Sequence, residues 1–125
     1  MRDQRLWTWH VLAGLVIFVF LGLHMAVMHL DTLLGWFTPA GVKPIAWESV
    51  AQRARLGFFA ASYVVLLGAA LFHGLYGLRN ILFELGLGGG AKKGLSLVLA
   101  IGGVALFAYG AWAAMAAFGA LPRPL

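Results

Sequence analysis

Three stretches of this chain carry no charged residue at all, and they decide what it can become. Leu6 to Leu30 separates Arg5 from Asp31, Leu56 to Leu78 separates Arg55 from Arg79, and Gly94 to Pro122 separates Lys93 from Arg123. Each exceeds the roughly 20 residues that an α-helix needs to cross a hydrocarbon core of about 30 Å. The runs predict an all-α membrane protein: three transmembrane helices, at about 7–30, 56–84 and 94–119, in a single domain over 1–125. The first run is too long for the core of a signal peptide and has no convincing cleavage site, so it is expected to stay.

Composition agrees. The chain is 62% hydrophobic and 10% charged, whereas a soluble domain is nearer half apolar and a quarter charged. It has no cysteine, which removes disulfide, thiolate and iron–sulfur chemistry. In so apolar a chain the net charge of +5 reads as anchoring at a lipid surface and contact with acidic partners, not as nucleic-acid binding. With the N-terminus in the cytoplasm, Arg2, Arg5, Arg79, Lys92 and Lys93 lie inside and Lys43, Arg53, Arg55 and Arg123 outside, a bias too small for the positive-inside rule to decide.

Between the runs the punctuation is clear. Trp7 and Trp9 sit where an aromatic belt is expected, and Pro39 and Pro44 break any helix after the first span. The segment 45–55 reads as a short amphipathic turn on the membrane surface, with Trp47, Val50 and Ala54 on one side. Gly86 to Gly90 is expected to be a flexible linker, with Lys92 and Lys93 anchoring the third helix. That helix is rich in small residues (Gly102, Gly103, Gly110, Ala113, Ala114, Ala116, Ala117), which allow close packing in lipid. Gly14 and Gly22 offer the same on the first helix.

Ionisable side chains inside a membrane are rare and usually functional, so the stretch from Phe72 to Glu84 draws attention. His73 stands in an apolar run, with Gly77 one turn later on the same helix face. A ring-shaped cofactor bound edge-on to His73 needs a flat neighbouring surface, and Gly77 supplies one. Arg79 sits near the membrane surface, where it could meet a cofactor's acidic arms. His24 lies about as far beyond the midpoint of the first helix as His73 does beyond that of the second, and the two helices run in opposite directions. They should be in opposite leaflets, on the order of 18 Å apart along the normal. Axial nitrogens sit only about 2 Å from a metal, so His24 and His73 cannot share one iron. If both bind haem there are two haems, each needing another ligand. His24 could instead make an interhelical hydrogen bond.

His10 is about 40° around the helix from His24 but near the level of His73. It could be a propionate contact, a second ligand to a haem on His73, or an interfacial residue. His29 reads as a surface residue. For Glu84, a capping or subunit-contact role is favoured over a proton path.

The set His73, Gly77, Arg79 and Glu84 resembles the second-helix motif of the small membrane-anchor subunits of succinate dehydrogenase and the related fumarate reductases. The likeness extends to the three-helix layout, to Gly14 and His24 on the first helix, and to the segment from Trp47 to Arg55, and covers most of 7–85. It implies half of a heterodimeric helix bundle in a bacterial or archaeal cytoplasmic membrane, N-terminus inside, with b-type haem and quinone as cofactors. The implied partners are a sister membrane-anchor subunit, an iron–sulfur subunit and a flavoprotein. His73 resembles the ligand of the haem nearest the iron–sulfur subunit, and His24 the ligand of a distal haem in the two-haem branch. Relatives often carry a His-Arg pair near quinone and propionates, but Val11 follows His10 here. Some place a quinone-binding Tyr after the acidic residue, where this chain has Leu85. Both departures assign more of the quinone site to the sister subunit. The rival expectations are a fumarate reductase anchor, the anchor of another dehydrogenase, and a structural subunit without cofactor.

Overall fold

The computed structural model describes residues 2–30, 43 and 45–120. Almost all are helical, joined by turns and short irregular stretches, without a strand among the described residues. Helix α1 (Arg2–Met25) runs on into one π-helical turn (Ala26–Leu30); α2 (Trp47–Ala54) is short; α3 (Gly57–Glu84) and α4 (Gly89–Ala120) are long. Three stretches, Gln4–His29, Gly57–Glu84 and Gly89–Gly119, are long and apolar enough to cross a membrane, as the charge-free runs predict. Pro39 and Pro44, expected to break the helix after the first span, lie outside the described residues.

The helices start earlier than the charge-free runs, α1 at Arg2 and α4 at Gly89. The reason is physical. Charges limit what lies in hydrocarbon, but a helix satisfies its own backbone wherever it goes, so it extends into the interface. Only the start of the glycine linker behaves as a turn. Gly86 takes φ +74°, a conformation glycine adopts without a Cβ penalty. The Lys92 amide already donates to the Gly88 carbonyl at 3.0 Å, so Lys92 and Lys93 stand in the first turns of α4.

Helix α3 is the middle of a three-helix layer. It packs against α1 on one side and α4 on the other, while α1 and α4 make no contact with each other among the described residues. The α3/α4 seam is built from glycine notches. A Cβ on Gly103 would stand 2.7 Å from Leu75 Cδ1, one on Gly110 would run into Leu67, and one on Gly68 would stand 3.2 Å from a Phe107 ring carbon. With no hydrophobic drive between helices in lipid, such close backbone approach is what holds them. Gly102, by contrast, has open space where a Cβ would stand, with no heavy atom within 4 Å. We therefore expect Gly103→Leu or Gly110→Leu to loosen the seam by roughly 1–3 kcal/mol, the usual cost of overpacking, and Gly102→Leu to be near neutral. Thermal denaturation of the detergent-solubilised variants checks this, and equal melting of all three would contradict it.

Helix α2 packs on α3 and on the far end of α4. Its inward residues are Ser49 and Ala51, with Val50 and Ala54 half-buried and Trp47 76% exposed. The buried face is thus not the side that carries Trp47, and Ser49 Oγ donates to the Lys43 carbonyl at 3.0 Å. Almost everything else is open. Phe18 is 78% exposed and Val104 70%, as suits helices whose outer faces meet lipid.

Candidate cofactor site

Antiparallel packing of α1 on α3 brings His10 to His73. The two imidazoles stack with centroids 4.0 Å apart and planes 7° from parallel. Nδ1 of His73 lies 3.0 Å from the main-chain oxygen of His10. A carbonyl can only accept, so Nδ1 carries the proton and donates. That fixes the tautomer and leaves Nε2 with its lone pair. The carbonyl has a second lone pair for its own helix.

Two glycines make the approach possible. A Cβ on Gly14 would stand 3.1 Å from Cε1 of His73 and 3.2 Å from Nδ1; one on Gly77 would stand 3.4 Å from Cε1 of His10. Each glycine is four residues after a histidine of its own helix. The arrangement is reciprocal: His10 and Gly14 on α1 face Gly77 and His73 on α3. The space above Gly77, expected from the sequence to take a cofactor ring, holds the His10 ring. The opening beside His73 is made by Gly14. Gly22, expected to admit a neighbour, has nothing within 4 Å.

Nδ1 of His10 is buried without a hydrogen-bond partner. A buried polar atom left so costs about 1–3 kcal/mol. With Nδ1 of His73 committed to the His10 carbonyl and Nδ1 of His10 buried, Nε2 of His73 is the nitrogen of this pair left for a ligand. Stacked face to face, the rings do not oppose two nitrogens across a metal, so this pair does not bracket a single iron.

His24 is far from both, on the order of 21 Å along α1 from His10. Its ring meets the edge of Tyr63 at 6.4 Å. Together with Met28, Arg53 and Phe59 it lines a cleft of about 290 Å³, and Arg53 donates to Met28 Sδ at 3.3 Å. His24 and His73 are not brought together, in keeping with the leaflet argument. His29 is exposed in the π-helical turn.

Arg79 leans towards α4. Nε donates to Ser96 Oγ at 2.9 Å, and Nη1 to Asn80 Oδ1 at 3.3 Å. Its guanidinium lies 4.3 Å from the centre of the Phe83 ring and 5.8 Å from that of Tyr76. With Tyr76, Gln4 and Trp7 it lines a cleft of about 480 Å³ between α1 and α3, mostly apolar but edged by the Arg79, Asn80 and Gln4 side chains. Tyr76 also touches the His10 ring, at 5.3 Å. Glu84 is exposed.

Tyr76, Gly14 and Arg53 belong to these sites in ways that reasoning from sequence misses. Tyr76 is one helical turn from His73, and that spacing could have flagged it. Gly14 reads from sequence as a small residue and as part of the resemblance, but not as the neighbour of His73, although it repeats the His-to-Gly spacing of α3. Arg53 has no signal, since only the fold of α2 onto α3 carries it to His24. Compared with family models, characterised proteins and solved structures, the chain has no match.

Proposed function

We propose that this chain is a haem-b-binding membrane-anchor subunit of a succinate:quinone oxidoreductase. It would pass electrons from iron–sulfur clusters to a membrane quinone as part of a respiratory complex II. The reading is carried by one observation, the His73 Nδ1 proton held by the His10 carbonyl across two membrane-spanning helices at 3.0 Å. Metal-ligating histidines characteristically donate their other ring N–H to such an acceptor, which sets ring angle and basicity.

The residues fit such a group. His73 would offer Nε2 as an axial ligand, oriented by His10 and given room by Gly14. Gly77 gives the His10 ring the room to stack on His73. Arg79 and Tyr76 line the adjoining cleft, where acid arms or a quinone head would find their donors. His24 would serve a second haem in the opposite leaflet, with Arg53 lining the same cleft. The bound haem would supply reversible one-electron transfer, its potential set by axial ligand, hydrogen bonding and burial. Only one ligand per iron comes from this chain, so the sister anchor subunit must supply the other. The open α1–α3–α4 layer leaves faces for it.

Purification through a tag on this chain, with a visible spectrum and identification of co-purifying subunits, tests the proposal. The expected result is a flavoprotein, an iron–sulfur protein and a second small membrane subunit with a reducible Soret band. A colourless preparation free of them would sink it. The second reading, a cofactor-free anchor, is favoured by the stacking of His10 on His73, which can also be a packing device between helices. The reverse reaction, fumarate reduction, is separated by haem potentials and by the native quinone.

A further inference from the structure

On the other side of α3, between α3 and α4, runs a groove of about 450 Å³ that takes no part in the cofactor site beyond sharing Tyr76 and Arg79. Its walls are Leu71, Leu75, Leu99, Val104 and Phe107, and it ends at Gly68. Its mouth is Arg79 and Ser96. From Arg79 to Gly68 on α3, and from Ser96 to Phe107 on α4, it covers the same helical length, roughly 16 Å at 1.5 Å per residue. That is about half of a hydrocarbon core near 30 Å thick. The groove therefore spans one leaflet, from the interface to near the bilayer middle.

The mouth is cationic. Arg79 and Lys92 both lie against the Phe83 ring, at 4.3 and 5.3 Å from its centre. The contacts that hold Arg79 are neutral, the Ser96 hydroxyl and the Asn80 amide oxygen. Ser96 in turn donates to the Lys92 carbonyl at 2.8 Å, which ties the two cations to one turn of α4. Neither has a carboxylate partner among the described residues. Arg79 has five N–H donors, and its Nη2 makes no contact with a protein acceptor among the described residues.

We infer that this groove is a binding site for one anionic phospholipid, its phosphate between Arg79 and Lys92 and an acyl chain laid along Leu75, Leu99 and Val104. The charge selects the headgroup, because two half-buried cations without a carboxylate partner among the described residues favour an anion over a zwitterion. The length selects the chain, because an apolar groove one leaflet deep matches a single acyl tail. The inference needs no haem. Lys92 and Val104 lie outside the cofactor site, so its failure and that of the proposed function are separately visible.

The test uses the full chain, with the subunits that accompany it, in mild detergent. Native mass spectrometry titrates phosphatidylglycerol and phosphatidylcholine of equal chain length against the parent protein and against Arg79→Gln, Lys92→Gln, the double variant, Val104→Trp and Ala100→Phe. Circular dichroism checks that each variant remains helical, and Ala100→Phe serves if Val104→Trp does not fold. Phosphatidylglycerol should bind the parent at least ~10-fold more tightly than phosphatidylcholine. Each lost cation should weaken it ~5-fold and the pair ~25-fold, about the effect of one basic residue each near an anionic lipid. The groove-filling variants, with both cations intact, should weaken it ~10-fold or more. Equal affinity for the two lipids would overturn the inference. So would charge sensitivity without any effect of groove filling, which marks surface attraction only. Competition by a short-chain quinone, or by a co-purifying protein segment seated in the groove, would also overturn it.

Discussion

If the proposed function holds, changing His73 to alanine is expected to remove one haem from the purified complex, and changing His24 to alanine the other. Each variant should keep about half of the parent's haem and a simpler reduced-minus-oxidised spectrum. The two losses should be independent, since the histidines are on the order of 21 Å apart along α1 as measured from His10, the stacking partner of His73. The methyl of alanine cannot ligate iron, so the haem loses the one axial ligand this chain would supply and is held only by the sister subunit's. His10→Ala separates the readings further. It retains the main-chain oxygen that accepts from His73 Nδ1 but removes the stacked ring. On the proposed assignment the haem stays bound with a shifted potential, because the tautomer of His73 is still set from the backbone. If His10 were itself the ligand, His10→Ala would lose haem as fully as His73→Ala. Unchanged spectra in all three variants would leave the histidine pair as a packing device.

The parts of this molecule that are legible in its sequence are those governed by the cost of charge in lipid. Three uncharged runs become three long helices, and the levels of His24 and His73 follow from counting along antiparallel helices. Helix ends are not legible in the same way, because Arg2, Lys92 and Lys93 lie in helix but outside the hydrocarbon. Nor is the order of the layer. Helices apolar on all sides carry little sign of which face meets which neighbour, so nothing in Gly103 or Gly110 announces Leu75 and Leu67 as partners. Sequence spacing points to His73 and Gly77 as one face of one helix. It does not reveal that the same spacing on α1, His10 and Gly14, completes the site by facing it. Arg53 reaches the His24 cleft through the docking of α2, a tertiary event without a local signature.

That reciprocal pairing makes the second large effect specific. Gly14→Ala should damage the site, and Gly77→Ala should be nearly tolerated. A Cβ on Gly14 would press on the His73 ring at 3.1 Å from Cε1 and 3.2 Å from Nδ1, whereas one on Gly77 would only touch His10 Cε1 at 3.4 Å. The ring that Gly14 admits cannot give way freely, because moving it breaks the bond from Nδ1 to the His10 carbonyl. That loss, about 1 kcal/mol for the hydrogen bond, adds to roughly 1 kcal/mol or more of crowding. The larger Gly14→Val should then cost ~2–4 kcal/mol, with haem at His73 lost or its potential displaced, and the haem at His24 unaffected. Gly22→Val, on the same helix but with open space around it, is the control for helix insertion and should leave both haems in place. Haem content, potentiometric titration and thermal melting of the four variants give the answer. Equal behaviour of Gly14→Val and Gly22→Val would mean that the contact between the His73 ring and the α1 backbone does not position the ligand.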